Sequence, residues 1–174
     1  DAIILYDDSA IRTSARAWFV LTAMGWDNVA ILDGGIPLTS LQLQYSLLDR
    51  RPEKRMVDLA ARHDFALFCY GTVAGGFLSD RWLGKTEPEP EHPLENRSLT
   101  KYKLIIDDLG GWDLFQALLA TLRKVADRHA TDIATIASAA MLRRPGVTAV
   151  IVGARNRDHL ASNLAISNIV LSDA

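Results

Sequence analysis

Short β-favouring runs alternate with stretches of helical spacing along the whole chain, and that alternation restricts the fold more than any other property of the sequence. Residues 2–6 (Ala-Ile-Ile-Leu-Tyr) form an apolar run stopped by Asp7 and Asp8, which reads as a buried strand. Residues 14–24 set Ala17, Trp18, Val20, Leu21 and Met24 at helical spacing, and Gly25 follows as a C-cap residue. Residues 29–32 are a second strand, ended by Asp33-Gly34-Gly35. Strands joined through a helix pair in parallel, because a parallel pair needs a crossover longer than a hairpin turn.

The same grammar continues downstream. Residues 40–45 read as a third strand; Pro52 sits where a helix can begin, and Val57, Leu59 and Ala60 give it a buried stripe ending near His63. Residues 65–70 are a fourth strand running into the glycine-rich loop 71–76. Residues 85–93, rich in Pro and Glu, show no periodicity and read as a surface excursion. Two helices are expected next, over residues 114–128 and about 133–142, then a turn at 143–146, a fifth strand at 147–152 and a last helix at 158–166. The class is α/β. Periodicity alone leaves open whether the strands form an open sheet or part of a barrel.

Length narrows that choice. The chain has 174 residues, enough for a real core, whereas a complete (β/α)8 barrel takes roughly 250. With 19 basic and 21 acidic residues and a net charge of −2, no global field recruits nucleic acid or an anionic membrane, so any anion site must be built locally. The single cysteine, Cys69, excludes an intrachain disulfide and suits a reducing compartment; as a residue type it packs as a small buried hydrophobe. The opening residues do not read as a secretory leader and no apolar run has the length of a bilayer span, so the expectation is a cytoplasmic protein with no membrane partner. His63, His92 and His129 lack metal-ligand spacing, and no metal site is expected.

Three segments carry a family resemblance. Residues 42–51 (Gln-Leu-Gln-Tyr-Ser-Leu-Leu-Asp-Arg-Arg), residues 70–78 (Tyr-Gly-Thr-Val-Ala-Gly-Gly-Phe-Leu) and residues 149–156 (Ala-Val-Ile-Val-Gly-Ala-Arg-Asn), continuing through His159 and Leu160 to Asn163, resemble in order the sixth, seventh and eighth strands of aldo-keto reductases with the turns after them. The first thirty-five residues resemble a different family, the rhodanese-type sulfurtransferases, through Leu5-Tyr6-Asp7-Asp8, the helix around Trp18, and the strand ending in Asp33-Gly34-Gly35. The resemblance implies a rhodanese-like βαβ segment over about residues 1–35 and a C-terminal half-barrel over about 36–174. The fold expected is therefore a partial (β/α)8 TIM barrel with an N-terminal βαβ unit, a chimera of two families. Where an active rhodanese places its cysteine loop this chain has Asp7-Asp8-Ser9, so a sulfurtransferase is the weakest of the readings.

The resemblance also implies roles. Gln42 would hydrogen-bond a nicotinamide carboxamide, since a primary amide both donates and accepts, and Tyr70 would stack on the nicotinamide ring. Gly71, Thr72, Val73 and Gly75 would bring backbone N–H groups to the pyrophosphate. Gly153 and Ala154 would lie against the adenosine phosphate, with Arg155 and Arg157 on the 2′-phosphate, His159 where relatives carry an arginine, and Asn163 at the adenine. The Asp, Tyr, Lys and His with which the family protonates a carbonyl oxygen come from the first four barrel strands, and no segment here matches them; the chain has no lysine before Lys54. The expectation is thus an NADP(H)-dependent oxidoreductase fragment with no catalytic residue of its own and a weak or vestigial cofactor site. The alternative is a non-catalytic chimeric or engineered structural module that forms homo-oligomers through exposed half-barrel edges.

Overall fold

In a computed structural model of the chain, residues 3–5, 22, 25, 29–31, 39–89, 94–154 and 157–171 are described. Two strands open it. β1 (Ile3–Leu5) and β2 (Val29–Ile31) pair in parallel, from Ile3 opposite Val29 to Leu5 opposite Ile31. That is the parallel pair a strand–helix–strand unit requires. Of the expected helix over 14–24 only Thr22, which is helical, is among the described residues, and the Asp33-Gly34-Gly35 turn lies outside them.

A second parallel sheet has the order β3–β4–β5. β3 (Ser40–Gln44) leads through a 3-10 turn at Arg51–Lys54 to α1 (Met56–His63), so Pro52 opens a tight turn ahead of the α-helix. β4 (Ala66–Tyr70) pairs with β3 in register, Gln42 opposite Phe68 and Gln44 opposite Tyr70. Leu67 and Cys69 are fully buried, and with Leu41 and Leu43 they pack against Leu59 and Ala60 of α1. The opposite face of the strands carries Gln42, Tyr70 and Ile151, all exposed. Parallel sheets are ordinarily covered on both faces. Among the described residues, this one is covered on one.

After the excursion the structure has three helices where the sequence spacing gives two. The additional one is α2 (Arg97–Leu109), capped by the Asn96 side chain, which accepts from the Leu99 N–H at 3.0 Å. Leu99, Tyr102 and Ile106 are buried at helical spacing. Lys101 and Lys103 between them, and Asp107 and Asp108 after them, break the apolar run and hide the period. Gly110 and Gly111, both at positive φ, turn the chain into α3 (Trp112–Arg128), which starts two residues before the expected 114. α4 (Ile133–Leu142) coincides with its expected span and is capped by Asp132, whose carboxylate accepts from the Thr135 N–H at 2.6 Å. β5 (Val147–Ile151) completes the sheet, and α5 (His159–Ala165) runs into a 3-10 turn at Ile166–Asn168.

These helices share a second core with the loop after β4. Phe77 stands at its centre, 4.7 Å from the Trp82 ring and 5.9 Å edge-on from Phe115. Leu119 and Leu122 of α3 and Ile133, Ile136 and Ala137 of α4 close around it. The Trp112 indole N–H donates to the Lys85 carbonyl at 2.9 Å, so this buried ring also anchors the start of the excursion. No helix among the described residues is long and apolar enough to cross a membrane.

Candidate functional site

Register decides where the loops meet. Gln44 lies opposite Tyr70, and Tyr70 opposite Ile151, so the three strands end side by side and their following loops leave at one end of the sheet. In α/β architectures that end is where ligands bind.

The loop after β4 is held tightly. Gly71 takes φ +71° and Gly75 φ +66°, and the Ala74 N–H donates to the Gly71 carbonyl at 2.8 Å. Thr72, 2% exposed, faces Ser138 of α4 with 2.9 Å between hydroxyl oxygens. The glycines have a packing reason as well as a conformational one. A β-carbon on Gly71 would fall 2.0 Å from the Tyr102 hydroxyl oxygen, and one on Gly75 would fall 2.8 Å from Tyr102 Cδ2. The space the sequence assigns to an approaching phosphate is filled, on that side, by a ring from α2.

The turn after β5 comes back onto α5. Asn163 donates from Nδ2 to the Gly153 carbonyl at 3.2 Å, so the expected adenine contact is part of the turn's own bonding. His159 is the first residue of α5 and is exposed, as are Ala154 and Arg157. Arg155 lies outside the described residues.

Between these loops runs a groove of about 690 Å³, within the range of small-molecule sites. Its walls bring Gly71, Thr72, Val73 and Gly75 together with Gly153, His159 and Asn163. Seven of the twelve expected site residues thus meet in one cavity. Gln42, Tyr70, Ala154 and Arg157 stand outside that wall: Gln42 and Tyr70 on the open sheet face, Ala154 and Arg157 on the exposed turn.

The groove also holds residues that sequence reasoning passed over, among them Asp80, Tyr102, Asp132 and Ser138. Asp132 carries a readable signal, as a capping residue three positions before Thr135; Asp80 carries none. Asp80 is ion-paired with Arg123 of α3, and its other oxygen accepts from the Ile133 N–H at 3.0 Å. Arg123 in turn donates to the Thr131 carbonyl at 2.6 Å. With Asp80 on Ile133 and Asp132 on Thr135, two protein carboxylates already take N–H groups from the first turn of α4.

Beside the groove, Asp49 is buried at 3% exposure under the end of β3. Burial alone would raise its pKa, but hydrogen bonds from Arg51 and from the Gln44 amide (2.7 Å) outweigh that and hold the carboxyl below its usual range. Burial, with Tyr70 and Asp49 nearby, pushes the Tyr102 phenol up. Burial likewise pushes the Cys69 thiol up to about 11, in keeping with a packing role. Among the described residues no group of three or more His, Cys, Asp and Glu side chains could hold a metal ion.

Comparison with known proteins gives three kinds of match. A family model described as "Aldo/keto reductase family" matches residues 19–174. Flagellar radial spoke protein 5 of Chlamydomonas reinhardtii is 30% identical over 109 residues, covering 62% of this chain and 20% of that protein. A shorter stretch of 35 residues, 20% of this chain, is 60% identical to SseB of Mycobacterium tuberculosis, whose name suggests a thiosulfate sulfurtransferase, and covers 12% of it. Among solved structures, a glycerol dehydrogenase from Gluconobacter oxydans matches 99% of this chain and 55% of its own with a TM-score of 0.64 at 20% identity, which shows a common fold. The chain spans about a fifth of the spoke protein and about half of the dehydrogenase.

Proposed function

The chain belongs to the aldo/keto reductase family, and from that premise we propose that its groove is a weak binding site for NADP(H) in a segment that carries no catalytic set. One observation carries this reading: the loop after β4 and the turn after β5, expected separately from sequence, converge on one groove of about 690 Å³. The residues fit the cofactor in part. Small residues and hydroxyls line the groove, and Tyr70, 39% exposed, offers a ring face at the strand end. Against the phosphates stand Asp80 and Asp132, which occupy the helix terminus an anion would otherwise use. That opposition is why the site is read as weak.

In this reading Gln42 orients the carboxamide, Tyr70 stacks on the nicotinamide, and residues 71–76 with Gly153 and Ala154 receive the phosphates. Arg155 and Arg157 engage the 2′-phosphate, together with His159. A bound cofactor would supply or accept hydride. The proton donor that a carbonyl reduction also needs is not assigned to any residue, so no reductase activity is expected of these residues alone.

The test is a titration with NADPH followed by its fluorescence, repeated with Arg155→Ala and Arg157→Ala. Binding that weakens in both variants supports the reading. No binding at about 1 mM cofactor, or affinity indifferent to both arginines, sinks it.

A second reading is favoured by a separate observation. Ile151 and Val152 at the end of β5, and Leu160 and Leu164 of α5, are 37–63% exposed, and β5 has no hydrogen-bonded neighbour on its outer side among the described residues. A rhodanese-like segment over residues 1–35 joined to a half-barrel that self-associates through this edge would account for them. Sedimentation velocity decides it: a monomer at the highest attainable concentration removes the idea.

A further inference from the structure

Arg81 stands between two hollows. Among the described residues of the groove wall it is the one arginine or lysine, and it also lines a neighbouring cavity of about 850 Å³ together with Trp82, Leu94 and Glu95. Its backbone is fixed on both sides. Asp80 before it accepts from the Ile133 N–H at 3.0 Å and pairs with Arg123. Trp82 after it has its ring 4.7 Å from that of Phe77, and its carbonyl accepts from the Gln116 amide at 2.9 Å. Only the side chain is left to move.

In this structure Glu95 holds that side chain. Both terminal nitrogens of Arg81 donate to the Glu95 carboxylate, and the guanidinium carbon lies 5.5 Å from the centroid of the Trp82 ring. The two side chains are 62% and 61% exposed, and water screens an ion pair so placed. It is therefore readily exchanged. A phosphate group offers a guanidinium the same fork of oxygens as a carboxylate, with more charge.

We propose that the Arg81–Glu95 ion pair is an autoinhibitory contact: Glu95 holds the arginine of the groove, and a dinucleotide binds by drawing it onto a pyrophosphate oxygen. The inference rests on the cofactor reading above and gives the weakness of the site a second source besides Asp80 and Asp132. Two anions compete for one cation, so the apparent affinity falls by the fraction of molecules in which Glu95 has it.

The experiment titrates four proteins, wild type, Glu95→Gln, Arg81→Ala and the double variant, with NADPH by fluorescence and with inorganic pyrophosphate by calorimetry. Both side chains are exposed, so the variants keep the fold. Glu95→Gln is expected to bind both probes about three-fold more tightly. Arg81→Ala is expected to bind them about ten-fold more weakly, and Glu95→Gln should bring no gain once Arg81 is gone. That last comparison separates competition from the mere loss of a negative charge, which would strengthen binding in both backgrounds. Equal gains in the two backgrounds, or no gain from Glu95→Gln while Arg157→Ala still weakens NADPH binding, overturn this inference and leave the cofactor reading standing. Failure of wild type and Glu95→Gln alike to bind either probe overturns both.

Discussion

Thr72 and Ser138 face each other with 2.9 Å between their hydroxyl oxygens, each at most 2% exposed, and so tie the loop after β4 to the middle of α4. Each hydroxyl is the other's partner in a space closed to water. Ser138→Ala or Thr72→Val alone strands one buried group and is expected to cost about 1–3 kcal/mol. The double variant, with both hydroxyls gone, should cost less than the sum of the two. Urea denaturation of the four proteins measures the coupling, and simple additivity would show that the pair is not energetically linked.

The two glycine positions of that loop should respond unequally to a methyl group. Gly71→Ala must carry φ +71° and also displace the Tyr102 hydroxyl from 2.0 Å, whereas Gly76→Ala carries φ +107° into open space. Backbone strain of about 1–2 kcal/mol is common to both. The collision adds a further cost of about 1–3 kcal/mol at Gly71. In a Tyr102→Phe background part of that excess should vanish. Equal melting temperatures for the two single variants would contradict the packing described.

Asp49 gives the fold an acid limit. Its folded pKa lies below the ordinary carboxylate value because Arg51 and Gln44 bond the charged form more than burial penalises it. The stabilisation is therefore complete above the unfolded pKa of about 3.9 and is lost as pH falls through the lower folded value. Arg51 is 71% exposed, so solvent and salt screen the pair and the effect is modest. Asp49→Asn should flatten the dependence of the urea midpoint on pH between about 5 and 2. Parallel curves for the two proteins would remove Asp49 as the cause.

Cys69 should be silent towards thiol reagents in the folded protein. It is fully buried under α1 and its pKa stands at about 11, so little thiolate exists at neutral pH and none is accessible. Reaction with a disulfide reagent should follow global unfolding as urea is raised. Rapid labelling in buffer would show that β4 opens locally.

How much of this was legible beforehand varies with the physics behind each signal. The strands were readable because buried parallel strands are plain apolar runs, and Leu41, Leu43, Leu67 and Cys69 now form one covered face. α4 was readable because Ala and Ile dominate it and Asp132 announces its start. α2 was not, because its inward residues, Leu99, Tyr102 and Ile106 with the half-buried Ile105 and Leu109, are interrupted by charges and follow a Pro- and Glu-rich stretch. The groove was half legible: local motifs name Gly71, Gly75, Gly153 and Asn163, but which helix closes the far wall depends on tertiary packing. Tyr102 and Asp80 enter the site through contacts 27 and 53 residues away in sequence, measured from Gly75 and Ile133 respectively. No spacing rule reaches that far.

The contact between Tyr102 and the loop glycines has a consequence for how such sequences can drift. Positions 71, 75 and 102 share one volume, so none can change size independently. Among relatives, a β-carbon at 71 or 75 should appear together with a smaller side chain at 102, and a tyrosine at 102 should appear only over glycine. The apparent freedom of a charged surface helix is then illusory at one position, where its inner residue is chosen jointly with two others on a different part of the chain.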